Sequence, residues 1–283
     1  MIDDIIIRKA GGKVKKLLSV FLILFLLVGC NQQKQLKKVV INTKVIEQQQ
    51  NGGEKKQGEK VEPVIPASNP SDVVGNSRLI VIDAGHQRYG NNDQEPIGPG
   101  AKETKAKVTS GATGAVTGRL ESQINLEVAI KLKEKLEDSG YQVIMVRTSQ
   151  DVNLSNSERA KIANENKADA FIRIHCNSDD SSNTRGALTI APSNTNRFCS
   201  QISDASQLLS KCVLDNMCNT TGAKNRGVMI SDTMSGINWC QVPVTIVEMG
   251  FISNFEEDRL LSDSNYQNKI VIGIVKGINE FMN

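Results

Sequence analysis

The chain has 283 residues, 39% of them hydrophobic and only 4% aromatic, with 22 glycines, which suits a turn-rich α/β core and disfavours a helical bundle. Its formal charge of +3 is unevenly spread: residues 1–77 carry 12 Lys and Arg against 7 Asp and Glu, whereas residues 78–283 carry 22 against 24. A slightly acidic remainder excludes a basic nucleic-acid-binding surface as its organising feature and leaves the positive charge to the N-terminal region.

Lys13, Lys15 and Lys16 precede a largely apolar run from Leu17 to Val28 that ends at Gly29 and Cys30. A basic segment followed by about 7–15 apolar residues reads as a secretory signal, short of the roughly 20 residues a membrane span needs. The Leu-Val-Gly-Cys end resembles the lipobox of bacterial lipoproteins. That resemblance implies removal of residues 1–30 as a signal peptide, lipidation of Cys30, and membrane lipid as a partner through the N-terminal anchor. An uncleaved anchor with an incidental cysteine is the alternative, and both put the rest of the chain on the extracytoplasmic face of a bacterial membrane. Asp3 and Asp4 are out of place in a signal; translation starting at Val14 would remove them. Residues 31–77 are rich in Gln, Asn, Lys and Glu, with prolines at 63, 66 and 70. This stretch lacks the apolar content to offset ordering entropy and reads as a disordered tether.

The pattern changes at Arg78. LIVID (79–83) is an expected buried strand, followed by a long Gly-, Asn- and Thr-rich stretch from Gln87 to Gly118. Such a length between elements is expected to be functional or disordered. Ile124, Val128, Leu132 and Leu136, with Ala129, mark a helix that Gly140 ends. YQVIMV (141–146) reads as a strand, and Ser155 with Glu158 has capping-box spacing before a further helix. AFIRIH (170–175) and ALTIA (187–191) are expected strands, and Ile202, Ala205, Leu209, Val213 and Met217 mark a helix of about 200–219. VPVTIVEM (242–249) is a strand, and Tyr266, Ile270, Ile274 and Ile278 mark a last helix. Alternating strands and helices predict one α/β domain over 78–283, with a mostly parallel or mixed twisted sheet flanked by helices on both faces.

The chain has two histidines, and each stands at the C-terminal end of an apolar strand: His86 after LIVIDAG and His175 at the end of FIRIH. Glu248 ends VTIVE in the same way. Ligands bind at that edge of open α/β sheets. Two histidines suggest a metal, and catalytic zinc commonly takes three protein ligands. The third must be acidic or a cysteine. Glu121, at the start of the first long helix, is one candidate; Glu103 and Glu127 are others. Cys176 adjoins His175, but neighbouring strand residues point to opposite faces, so Cys176 is expected to be a small buried residue. Cys199, Cys212, Cys218 and Cys240 lack the paired spacing of a zinc ribbon.

VIDAGHQ, the glutamate of RLESQINL, ERAKIANENKADAFIRIHCNS and VPVTIVEMGFISNFEEDRLL together resemble the zinc-dependent N-acetylmuramoyl-L-alanine amidases, in order and over about 78–282. The resemblance implies a phosphorylase/hydrolase-like fold and one Zn2+ per chain held by His86, Glu121 and His175. It also implies Glu248 as the catalytic glutamate and peptidoglycan as the substrate, cut between N-acetylmuramic acid and L-alanine of the stem peptide. A monomer is expected, with no nucleic acid partner. Asn177, two residues past His175, is a candidate substrate contact, with strand-end capping as the alternative. The segment between His86 and Glu121 is longer than in compact members and resembles a clostridial-type subset; a lid, a glycan groove wall, a docking surface and a plain solvated loop are all open for it. Rival functions are a zinc peptidase cutting within the stem and a non-catalytic wall-binding protein on the same fold.

Overall fold

A computed structural model describes residues 78–283. The expectations for the signal, Cys30 and the tether concern residues 1–77 and lie outside the described residues.

The chain begins with β1 (Leu79–Ala84), then a hairpin of β2 (Asn91–Pro96) and β3 (Thr104–Val108). There follow α1 (Glu121–Asp138), β4 (Gln142–Met145), α2 (Asn156–Glu165), β5 (Ala170–Asn177) and β6 (Ala187–Ala191). A 3-10 turn at Ser200–Ile202 leads into α3 (Ser203–Thr221), β7 (Asn225–Ile230), the short α4 (Ser235–Asn238), β8 (Val244–Phe251), α5 (Phe255–Ser262) and α6 (Ser264–Met282). Six strands form one sheet in the order β4-β1-β5-β8-β6-β7. β4, β1, β5 and β8 run parallel, while β6 lies antiparallel to β8 and carries β7 parallel to itself. The sheet is therefore mixed: a parallel group of four with a reversed pair at one edge.

Local chemistry explains most of these elements. β1 is apolar on both sides because both are covered. α2 starts at a reciprocal cap in which Ser155 accepts from the Glu158 backbone and Glu158 returns the bond to the Ser155 N–H. Helices α1, α3 and α6 pack one face of the sheet through Ile124, Val128, Leu132, Leu209, Val213, Ile270 and Ile274. Helices α2 and α4 cover the other face with Ala160, Ala163 and Ile237 against Val81, Phe171 and Val244. The α3–α6 contact is close because Gly273 and Gly277 stand where a Cβ would come within 2.5 Å of the Met217 and Val213 Cα atoms.

Within the segment 87–118, residues 91–108 form a β-hairpin with a bulged register, so the segment has secondary structure of its own. β7 and α5 were likewise outside the sequence expectation. The fold places the site by a simple rule: β1, β5 and β8 are adjacent and parallel, so their C-terminal ends share one edge.

Candidate metal centre

His86 follows β1 in a turn whose backbone is left-handed, with φ of 60°. That conformation strains a non-glycine residue and persists only where neighbours over-determine it. Here they do. Arg147 donates from Nε to the Ala84 carbonyl at 2.7 Å and from Nη2 to the Gly85 carbonyl at 3.1 Å. Arg159 donates to the carbonyls of Ala84 and His86, each at 3.2 Å. Asn125, one turn into α1, donates its amide to the Gly85 carbonyl at 3.2 Å. Gly85 itself admits no side chain, since a Cβ would fall 2.2 Å from the His175 ring.

His86 is oriented from the hairpin. Its Nδ1 lies 2.9 Å from the Thr109 carbonyl oxygen, just after β3. A carbonyl only accepts, so Nδ1 donates to it and the ring turns Nε2 toward the cluster. That nitrogen faces Glu121 Oε1 at 3.1 Å, and His175 Nδ1 faces the same oxygen at 3.2 Å. The oxygen also receives the Cys176 backbone N–H at 3.1 Å and the Asn125 amide at 3.2 Å, while the Ala112 N–H holds Oε2 at 2.9 Å. The two imidazoles meet edge to face with centroids 4.8 Å apart.

The electrostatics suit a cation. Burial works against ionised Glu121, but hydrogen bonds from His175 and His86 outweigh it and hold the carboxyl well below its usual range. Burial pushes His175 down to about 4, against the opposing pull of Glu121, so its imidazole is neutral at neutral pH. Its buried Nε2 has no hydrogen-bond partner. Two imidazoles and one carboxylate, with ligand atoms all within 4.8 Å of one another, are a donor set for a divalent metal. The buried, unpaired His175 Nε2 is what a bound cation would resolve.

Glu248 stands beside His175, as its register partner across β5 and β8. Its Oε2 is buried and unpartnered. Burial, then the charge of Glu121, pushes its carboxyl up to about 8, with Arg173 opposing. His86, His175, Glu248 and Arg173 line one cleft of about 430 Å³ with Asn156, Lys105 and Thr233.

Three of the sequence candidates thus meet in one cluster, with Glu248 next to it. Glu127 is engaged elsewhere, by Arg119 and Gln267, and Glu103 is exposed on the hairpin. Cys176 is buried, its thiol pushed well up by burial and packed near Asn125. Asn177 is not brought to the cleft: a register shift separates it from His175, and its side-chain oxygen accepts the Ser178 N–H at 2.7 Å. This bond fits the strand-end capping alternative for Asn177.

Sequence reasoning missed the charged support beneath the site. Asp83 is fully buried, taking Arg159 Nη1 at 2.7 Å on one oxygen and Arg173 Nε at 3.0 Å on the other. Burial opposes its ionisation, but the two guanidiniums hold the carboxyl well below the usual range. The signal was legible: an aspartate and an arginine inside strands otherwise apolar on both sides need buried partners.

Residues 80–280 match the family described as N-acetylmuramoyl-L-alanine amidase. The amidase LytC of Bacillus subtilis is 30% identical over 173 residues, covering 59% of this chain and 32% of that longer protein. A germination-specific N-acetylmuramoyl-L-alanine amidase of the same organism is 29% identical over 186 residues, or 58% of this chain and 72% of that one. Among solved structures, the catalytic domain of CwlV from Bacillus (Paenibacillus) polymyxa aligns with a TM-score of 0.58 at 28% identity, covering 72% of this chain and 98% of that domain. The chain therefore belongs to the N-acetylmuramoyl-L-alanine amidase family.

Proposed function

We propose that this chain hydrolyses the amide joining the lactyl group of N-acetylmuramic acid to L-alanine of the stem peptide in peptidoglycan, with Zn2+ held by His86, Glu121 and His175. Bound there, the metal supplies Lewis-acid chemistry, polarising a carbonyl and lowering the pKa of water to about 7. The chain's own residues supply the rest. The neutral His175 imidazole and the ionised Glu121 are in the protonation states that a metal site requires. Glu248, on the strand next to His175, takes a proton from the attacking water and delivers it to the leaving amine. A carboxyl whose proton affinity lies near neutrality serves both steps, and a bound cation would draw that affinity down from its present value.

The observation that carries this reading is Glu248: a buried, unpartnered carboxylate oxygen beside a His-Glu-His cluster, at the mouth of one cleft. Glu248→Gln is expected to lower kcat by about 10²–10⁴-fold while leaving metal content and fold unchanged. Mass spectrometry of muropeptides released from cell wall, with and without chelator, locates the cut. Stem peptides that begin with a free L-alanine amine support the amidase; a cut inside the stem would move the reading to a peptidase.

Lipid anchoring at the extracytoplasmic face of the membrane belongs to the same proposal and rests on the Leu-Val-Gly-Cys sequence at Cys30. Cys30→Ala is expected to abolish incorporation of a labelled fatty acid and release the protein from membranes. Unchanged labelling would remove Cys30 from the account.

A further inference from the structure

Two cationic side chains, Arg173 and Lys105, line the cleft beside Glu248. At its floor lies Arg173, only 3% exposed. It shares a single carboxylate, Asp83, with Arg159, so two guanidiniums face one aspartate. Lys105 reaches into the same cleft from β3, and its Nζ donates to the Thr233 carbonyl across it at 2.8 Å. Among the described residues Lys105 has no carboxylate partner. Its cross-strand neighbour Glu95 is turned away and accepts from the Ser157 hydroxyl at 2.6 Å, and Asp93 pairs with Lys107.

The hairpin that brings Lys105 there is pinned on three sides. Trp239 Nε1 donates to the Pro96 carbonyl at 2.9 Å, Asn156 donates to the Lys107 carbonyl at 2.9 Å, and Glu95 grips the start of α2. Lys105 is thus the mobile end of a side chain on a fixed wall. Its neutral partner, a single carbonyl, is readily exchanged for an anion, because a charge-assisted bond is the stronger of the two.

We propose that Lys105, backed by the charge of Arg173, is a specificity residue that takes a carboxylate of the stem peptide. The proposal rests on the amidase reading above. The first residue past the scissile amide is alanine, which carries no side-chain charge. The first carboxylate along the stem belongs to the second, glutamyl residue, one extended residue of about 3.3–3.6 Å further on. The enzyme then favours stems whose second residue keeps its α-carboxylate free over stems in which that group is amidated.

The test uses the full-length zinc-loaded chain and two soluble disaccharide-tripeptides that differ only in that carboxyl, free in one and amidated in the other. The expected result is a KM about tenfold lower for the free acid, which equals ~1.4 kcal/mol, with matched kcat and a preference that shrinks as salt is raised. Lys105→Met should raise the KM of the free acid to that of the amide and leave the amide unchanged, and Lys105→Arg should keep the preference. Equal KM values for the native chain, or a preference that survives in Lys105→Met, would overturn the proposal. So would a loss of activity shared equally by both substrates, which marks a loosened hairpin. If neither substrate is cut at the muramoyl–alanine bond, the amidase reading fails first, and the products show it.

Discussion

The two faces of the sheet carry different chemistry along the same strands. On the face covered by α1, α3 and α6, residues stay apolar to the C-terminal edge: Ile80, Ile82 and Ala84 in β1, Ile172, Ile174 and Cys176 in β5, Val247 and Met249 in β8. On the other face the same strands begin apolar, with Val81, Phe171 and Val244, and end in polar and titratable groups, with Asp83, Arg173, His175 and Glu248. Period-two geometry lets one strand serve both purposes without compromise. One face supplies the burial that stabilises the domain. The other spends part of that stability on a buried polar network holding a strained histidine turn.

The comparison breaks most visibly at Asp83. Asp83→Asn leaves Arg159 and Arg173 buried without their shared carboxylate, and removing one partner of a buried pair costs about 3–5 kcal/mol. Because Arg159 also holds the His86 carbonyl, metal affinity should fall with stability. Denaturant unfolding together with metal titration checks both; a stable variant with normal affinity would deny that the network supports the turn.

A smaller loss is expected on the apolar face. Gly277→Ala places a methyl 2.5 Å from the Val213 Cα, so α3 and α6 must part. Overpacking of this kind costs about 1–3 kcal/mol, offset in part by the better helix propensity of alanine. Metal affinity and kcat of the folded protein should not change, since no residue of either helix reaches the cleft. A shift in metal affinity would show that the faces are coupled.

The mildest probe is acid. Asp83 has a folded-state pKa below its unfolded value of about 3.9. Its stabilisation is therefore complete above about pH 4 and is lost as pH falls further, by at most ~1.4 kcal/mol per pH unit for one group. Unfolding midpoints measured from pH 7 down to pH 3 should turn downward below pH 4, with a shallower fall in Asp83→Asn.

Much of the site was legible because its main residues end apolar strands. His86, His175 and Glu248 could be placed on one edge from strand pattern alone, as that edge depends only on parallel order. Glu121 was less certain, because a first-turn glutamate also serves the helix dipole; in the structure His86, His175 and the Cys176 N–H converge on one of its oxygens. The hairpin was illegible for a different reason. NNDQEP and TKAKV have no apolar alternation, and β2 and β3 are held by bonds to α2, Trp239 and each other. Strand alternation alone does not place Asn177, because a register shift that only the β5–β8 pairing reveals separates it from His175.

The sequence by itself determined the α/β alternation, the capped start of α2 and the strand ends where the polar residues stand, since each depends on neighbours a few residues away. Tertiary structure alone decided the reversed β6–β7 pair, the wall that carries Lys105 and the pairing of Asp83 with Arg159 and Arg173. Those last partners lie 76 and 90 residues apart. Contacts at such separations leave no local pattern, because they form only when packing removes the charges from water and makes each require the other.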